Sequence, residues 1–119
     1  DGGAGEYRGG KGVVLDYRVT ADEAYLTYAA TRSTVRPWAL AGGQEGSTNY
    51  AEVHRSDGTV ERYTMCTTVP AKKEEVIRIY TATGGGFGDP RKRDRAEVLR
   101  DLRNGYVTPE QARIRYGVA

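Results

Sequence analysis

A lone histidine, His54, and a lone cysteine, Cys66, are the side chains of this 119-residue sequence that could serve as general base and nucleophile. Each needs a partner within hydrogen-bond reach. Between them lies Ser56-Asp57-Gly58, and Asp-Gly between two strand-like runs is a strong hairpin signal. Counting outward from that turn sets His54 opposite Val60 or Arg62 and away from Cys66, so the register supports no Cys–His dyad. His54 then reads as an edge-strand or exposed histidine, and Cys66 as a small semi-buried thiol. One Cys and one His also cannot form an internal disulfide or a Cys/His zinc cluster. No two carboxylates are visibly converged for paired acid/base work. No catalytic residue and no metal ligand is therefore assigned.

The run Gly84-Gly85-Gly86-Phe87-Gly88-Asp89-Pro90 invites comparison with a phosphate-binding loop, because backbone N–H groups of a glycine-rich turn ahead of a helix can cradle an anion. It lacks G-x-x-x-x-G-K-[ST] and any G-x-G-x-x-G opening a helix in a βαβ unit. A tight strand-to-helix connection is the expectation, with anion binding as a lesser reading. Arg91, Lys92, Arg93, Arg95, Arg100, Arg103, Arg113 and Arg115 make the C-terminal third basic. Asp89, Asp94, Glu97, Asp101 and Glu110 interleave with them, which suits a solvated or docking helix face rather than a nucleic-acid footprint.

These residues need elements to hold them. Strict alternation over 12–20 and again over 23–31 predicts two strands, taken as an antiparallel hairpin. Asn49–Arg55 and Thr59–Met65 form a second hairpin, and Val76–Thr81 a fifth strand after Val69-Pro70 and the charged turn Lys72-Lys73-Glu74-Glu75. Residues 42–48 read as a loop. Downstream the period turns helical: Asp94 caps a helix over about 95–104 whose Val98, Leu99 and Leu102 share a face, and Gly105 stops it. Thr108, Pro109 and Gln111 begin a second helix that Gly117 ends. Strands followed by helices predict an α+β fold: mainly antiparallel β, sandwich or barrel-like, with about five strands and two short C-terminal helices.

The chain's length suits one domain with one modest core, roughly two-thirds of its unfolded surface becoming buried. The reading is a single domain over 1–119, with a glycine-rich lead and β region at 1–83 and a glycine-rich connection and helical tail at 84–119. Charge is nearly balanced, 18 Lys+Arg against 16 Asp+Glu, and no apolar run reaches bilayer-spanning length. Neither nucleic acid nor membrane is expected as a partner, and a cytoplasmic location is the default. Two features stand out: 16 glycines, and nine tyrosines among eleven aromatics. The tyrosines suit either a small core with wet edges or a thin sheet that faces another protein layer. The sequence starts with Asp1-Gly2-Gly3 rather than Met, which reads as a piece of a longer polypeptide.

GGAGEYRGGKGVVLDYRV at 2–19, PWALAGG at 37–43, TATGGGFGDPRKRD at 81–94 and NGYVTPEQARIRYGV at 104–118 together resemble the closing segment of the hydantoinase B/5-oxoprolinase family, B-type subunits related to those of acetone and acetophenone carboxylases. The resemblance implies part of an ATP-dependent complex. Its A-type subunit phosphorylates the substrate carbonyl, and the B-type subunit takes part in opening the cyclic amide or, in carboxylases, in forming the C–C bond. The family's metal-binding motifs match no position here. The implied cofactors, ATP, Mg and a transition metal, would belong to the parent complex and not to this segment, and the implied partners are the remainder of the B-type subunit and the A-type ATP-binding subunit. Gly2, Gly3, Gly5, Tyr7, Arg8, Gly9, Gly10, Gly84, Gly85, Gly86, Gly88 and Asp89 carry over as a shared motif without an assigned role. Where the family tends to have Lys-Lys-Gly-Asp, this chain has Lys72-Lys73-Glu74-Glu75. The expected role is a structural or docking domain of an N-methylhydantoinase- or oxoprolinase-type enzyme, inactive alone. The alternatives are the same segment of a carboxylase-type subunit and a free-standing protein-interaction module.

Overall fold

A computed structural model describes residues 1–118. Their contacts separate two compact units: a β unit of Val13–Val35 and Thr48–Ala82, and a glycine-rich unit of Asp1–Gly12, Arg36–Ser47 and the residues from Thr83 onward.

The β unit contains β1 (Val14–Arg18), β2 (Glu23–Ala29), β3 (Tyr50–His54), β4 (Val60–Tyr63), β5 (Met65–Lys72) and β6 (Val76–Tyr80). Four strands form an antiparallel sheet in the order β1-β6-β3-β4, and β2 pairs with β5 in a second sheet. Alternation locates β1 and β2, but their expected mutual hairpin does not form. Val19 N–H donates to Glu75 O and Glu74 N–H to Val19 O, which ties the end of β1 to the β5–β6 turn and sends β2 to the other sheet. That turn places Glu74 at φ 72°, the left-handed region where a side chain is disfavoured. The strand β5 departs from expectation, since Val69-Pro70 reads as a connection. Pro70 is tolerated because β5 pairs on one side only.

Leu26 of β2 packs on Ala51 and Val53 of β3, with Tyr28, Tyr63, Cys66, Val69, Ile77 and Ile79 around them. Six strands in two facing open sheets, with short helices after them, make the expected α+β fold a sandwich rather than a closed barrel. The opposite face of the larger sheet carries a charge ladder. Asp16, Arg78, Glu52 and Arg62 are direct cross-strand neighbours through β1, β6, β3 and β4, and Tyr50 stacks on Tyr80 beside them at 4.3 Å.

This ladder and the buried Glu75 are expected to make the β unit acid-sensitive. Arg78 donates to both Asp16 carboxylate oxygens at 2.6 and 2.7 Å and holds that carboxyl below its usual range. Burial pushes Glu52 up, but bonds from Arg62, His54 and Tyr80 leave it lowered. At the β5–β6 turn, Lys72 N–H donates to buried Glu75 and lowers it too, against its burial and with help from Arg55 and Ser56. A carboxyl with a depressed folded pKa contributes stability above its unfolded value, near 4, and that contribution is lost as pH falls below it. The far-ultraviolet β signal is therefore expected to hold from about pH 7 to 5 and to collapse below about 4, with Asp16→Asn and Glu75→Gln flattening the acid limb. Equal stability at about pH 3 and 6 would contradict the ladder's role.

In the glycine-rich unit, Pro90–Lys92 is a 3-10 turn and α1 spans Arg95–Arg103. Asp94 caps α1 by accepting from Ala96 and Glu97 N–H at 2.8 and 3.2 Å. The three-residue α2, Pro109–Gln111, opens with a full capping box between Thr108 and Gln111 and continues as a π turn over Ala112–Tyr116. Gly105 and Gly117 close the two helical segments at φ 69°. Ala4, Val98, Val107, Ala112, Tyr116 and Val118 form this unit's core, with Leu102 packed against it. Leu99 does not share that face; it is 40% exposed.

Candidate functional site

The twelve motif residues of unassigned role all fall in the glycine-rich unit, and both glycine runs meet there with 37–46. Gly3 N–H donates to Gly84 O, Gly84 N–H to Gly10 O, Gln44 N–H to Ala4 O and Gly86 N–H to Gln44 O, all within 2.7–2.9 Å. The segments approach so closely that side chains are excluded. A Cβ on Gly2 would lie 2.0 Å from Gly9 O, on Gly3 1.9 Å from Gln44 O, on Gly9 2.1 Å from Gly84 O, and on Gly86 2.2 Å from Ala4 O. Gly43 and Gly46, expected in a loop, belong to the same stack, with a Cβ 2.3 Å from Gly86 O and 2.0 Å from Thr83 O. Gly10 is different: nothing lies within 4 Å of its Cβ position.

The stack uses most of the N–H groups that an anion would need. Gly84, Gly86, Phe87 and Gly88 N–H all donate to carbonyls of the other two segments. Asp89 instead caps the following 3-10 turn by accepting from Arg91 N–H at 2.9 Å. The run 84–90 thus behaves as the close-packed connection that its sequence suggests.

A buried ion network clamps this stack to α1. Asp101, 7% exposed at its side chain, accepts from Arg8 Nε at 3.1 Å and from Arg93 Nη2 at 3.0 Å. Arg93 also donates to Glu6 O at 2.9 Å, and Arg8 lies over the Tyr106 ring at 5.2 Å. Nearby Tyr116 has its phenol pushed up, mainly by burial. Arg8 thereby acquires a positioning role within the motif. Sequence alone does not single out Arg93 and Asp101 from the basic tail, because interleaved charges at helical spacing look alike until one carboxylate is buried.

On this platform one apolar row is left bare. Tyr7 and Phe87 exchange N–H···O bonds at 2.9 Å, and Phe87 also bridges to Leu40. Residues bridged in this way share a face. Tyr7, Leu40 and Phe87 are 65%, 58% and 50% exposed, with the two rings 6.2 Å apart.

Elsewhere the chemistry is sparse. His54 pairs with Val60, as its distance from the turn implies, and its Nε2 lies 3.2 Å from Glu52 Oε2. Cys66 sits in β5, in the other sheet, at the edge of the Leu26–Val53 core. The two do not converge. Among the described residues no three His, Cys, Asp or Glu side chains gather as a ligand set. No helix among them is long and apolar enough to cross a membrane.

The ordered motifs and their assembly into one stack define a module of the Hydantoinase B/oxoprolinase family, and the chain belongs to that family: its sequence profile matches residues 1–90. The chain is 35% identical over 122 residues to the beta subunit of caprolactamase from Pseudomonas jessenii, covering 98% of this chain and 21% of that one. It is 30% identical to the B-type chain of a candidate D-/L-hydantoinase from Pseudomonas sp. (strain NS671), covering 99% and 20%. In three dimensions it matches the crystal structure of ATP-dependent caprolactamase from Pseudomonas jessenii with a TM-score of 0.80 at 32% identity, covering 98% of this chain and 21% of that one. Nucleotide-free acetone carboxylase shares the fold, with a TM-score of 0.70 at 23% identity over 99% of this chain and 20% of that one. The chain thus spans about a fifth of the length of the curated relatives it matches.

Proposed function

We propose that this segment is a C-terminal structural and docking domain of the B-type subunit of an ATP-dependent cyclic-amide hydrolase, inactive by itself. The bare row of Tyr7, Leu40 and Phe87 carries the reading. Three large apolar side chains held on a backbone that cannot bend away resemble the aromatic anchors on which interfaces depend. Their occupant is the remainder of the B-type polypeptide, whose relatives are about five times as long as the matched segment. ATP, Mg and a transition metal are held by other parts of the complex, including an A-type ATP-binding subunit. Choice of a cyclic-amide hydrolase over a ketone carboxylase rests on the 35% identity to the beta chain of caprolactamase.

Two measurements test this. The 119-residue chain alone is expected to show no ATP-dependent hydrolysis of caprolactam, a hydantoin or 5-oxoproline; turnover by it would remove the claim of inactivity. In the longer subunit assembled with its A-type partner, Phe87→Ser with Tyr7→Ser is expected to lower that activity at least about tenfold, because losing central anchors costs roughly 2 kcal/mol or more. The same pair should leave the isolated chain's circular dichroism unchanged, both side chains being half exposed or more. Full activity of the double variant would overturn the docking role.

A further inference from the structure

The strand β1 is an open end of the larger sheet. All five of its residues are exposed, and its second edge pairs with no strand among the described residues. The ladder to β6 fixes which groups lie on that edge. Thr81 N–H donates to Val13 O, and Val19 N–H to Glu75 O. Val13, Leu15, Tyr17 and Val19 therefore aim their main-chain groups at β6, and Val14, Asp16 and Arg18 aim theirs outward. Such an unpaired row is a template for another strand.

Charge selects the strand that fits. Across the sheet's outer face Arg62, Glu52, Arg78 and Asp16 alternate in sign, and the series ends on Asp16 at the open edge. The next strand should offer a cation opposite Asp16. This chain carries one two residues along, Arg18, whose present partner Glu74, at 3.2 Å, is more than half exposed and easily exchanged. An antiparallel second copy, related by a two-fold axis at Tyr17, places Arg18 opposite Asp16 at both symmetry-related positions. Both residues point their main-chain groups outward, so each pair can exchange two N–H···O bonds. On the other face Tyr17 meets its own copy in a closely spaced pair, and Leu15 meets Val19, continuing the apolar side of the sheet. A one-residue slip would bring inward-pointing groups to the edge, and a register centred on Asp16 would oppose two carboxylates.

We infer that β1 is a self-complementary edge through which two copies of this chain join their four-stranded sheets into one continuous eight-stranded antiparallel sheet. This is independent of the docking row on the glycine-rich unit.

Sedimentation velocity of the 119-residue chain between about 10 µM and 1 mM is expected to show mass rising from 13.0 kDa toward twice that value. Over the same range, amide exchange should slow at Asp16 and Arg18. Tyr17→Lys and Arg18→Glu should each raise the dimer dissociation constant at least about tenfold, since each change acts twice across the axis. Amide spectra away from β1 should stay unaltered, Tyr17 and Arg18 being exposed. A chain monomeric throughout that range overturns the inference, as does a dimer indifferent to both substitutions. Unchanged exchange at Asp16 and Arg18 in the dimer would also overturn it.

Discussion

Gly9→Ala is expected to leave no folded glycine-rich unit, whereas Gly10→Ala, one residue along in the same motif, is expected to be nearly silent. A methyl on Gly9 would stand 2.1 Å from Gly84 O and 2.5 Å from Gly84 C, both main-chain atoms that no rotamer change can move. Relief requires the 1–10 and 83–88 segments to part by about 1 Å, which would break Gly3 N–H to Gly84 O and Gly84 N–H to Gly10 O together. A loss above about 4 kcal/mol is expected, a large share of the 5–15 kcal/mol that typically holds a domain. Gly10 has open space at its Cβ position, and alanine there should fall within about 1 kcal/mol, with reduced freedom of the unfolded chain in its favour. Thermal unfolding followed by amide signals of Gly84 and Phe87 would separate the two. A folded Gly9→Ala chain that keeps the Tyr7–Phe87 bridge would show that the stack yields where it is drawn rigid.

Asp101→Ala should be the second severe change. The substitution leaves Arg8 and Arg93, 19% and 10% exposed at their side chains, as neighbouring cations without their shared carboxylate. Removing one member of a buried ion cluster costs about 3–5 kcal/mol, mostly through the stranded charge. Exposed pairs such as Arg18–Glu74 should by comparison cost less than about 1 kcal/mol. Chemical denaturation of Asp101→Ala and Arg8→Met, singly and together, gives the coupling. The double variant is expected to be less destabilised than the sum of the two, since Arg8→Met also removes a stranded charge. Strict additivity would mean that Arg8 does not act through Asp101.

Much of this is legible in the sequence wherever the signal is local. Asp57-Gly58 sets the β3–β4 hairpin and, by counting, the partner of His54. Asp94, Thr108, Gly105 and Gly117 mark the helical segments close to where they lie. What cannot be read is pairing over distance. Alternation in β1 and β2 says which side chains share a face and nothing about which strand lies alongside, so the expected hairpin joins two neighbouring strands that belong to different sheets. The glycines announce themselves by number, but a run of glycine reads equally as a loose tether and as a lattice too tight for side chains. Close approaches such as Gly3 facing Gln44 O, and Gly43 facing Gly86 O, distinguish the two. Asp101 escapes notice because burial, not residue type, sets it apart from Asp94 or Glu97.

The glycine-rich unit is woven from three stretches of chain that are far apart in sequence, with Arg8 and Asp101 separated by 93 positions. During synthesis the first stretch is made well before its partners in this unit, and its bond to Gly84 waits until the β unit and the third glycine run are made. The entropic toll of closing so long a loop grows only slowly with length, but contacts of such separation are slow to form. Completion of the glycine-rich unit is therefore expected to come late. Until Thr83 and the residues after it are out, Tyr7 and Leu40 have no Phe87 to register against, and the apolar row exists only in a finished molecule.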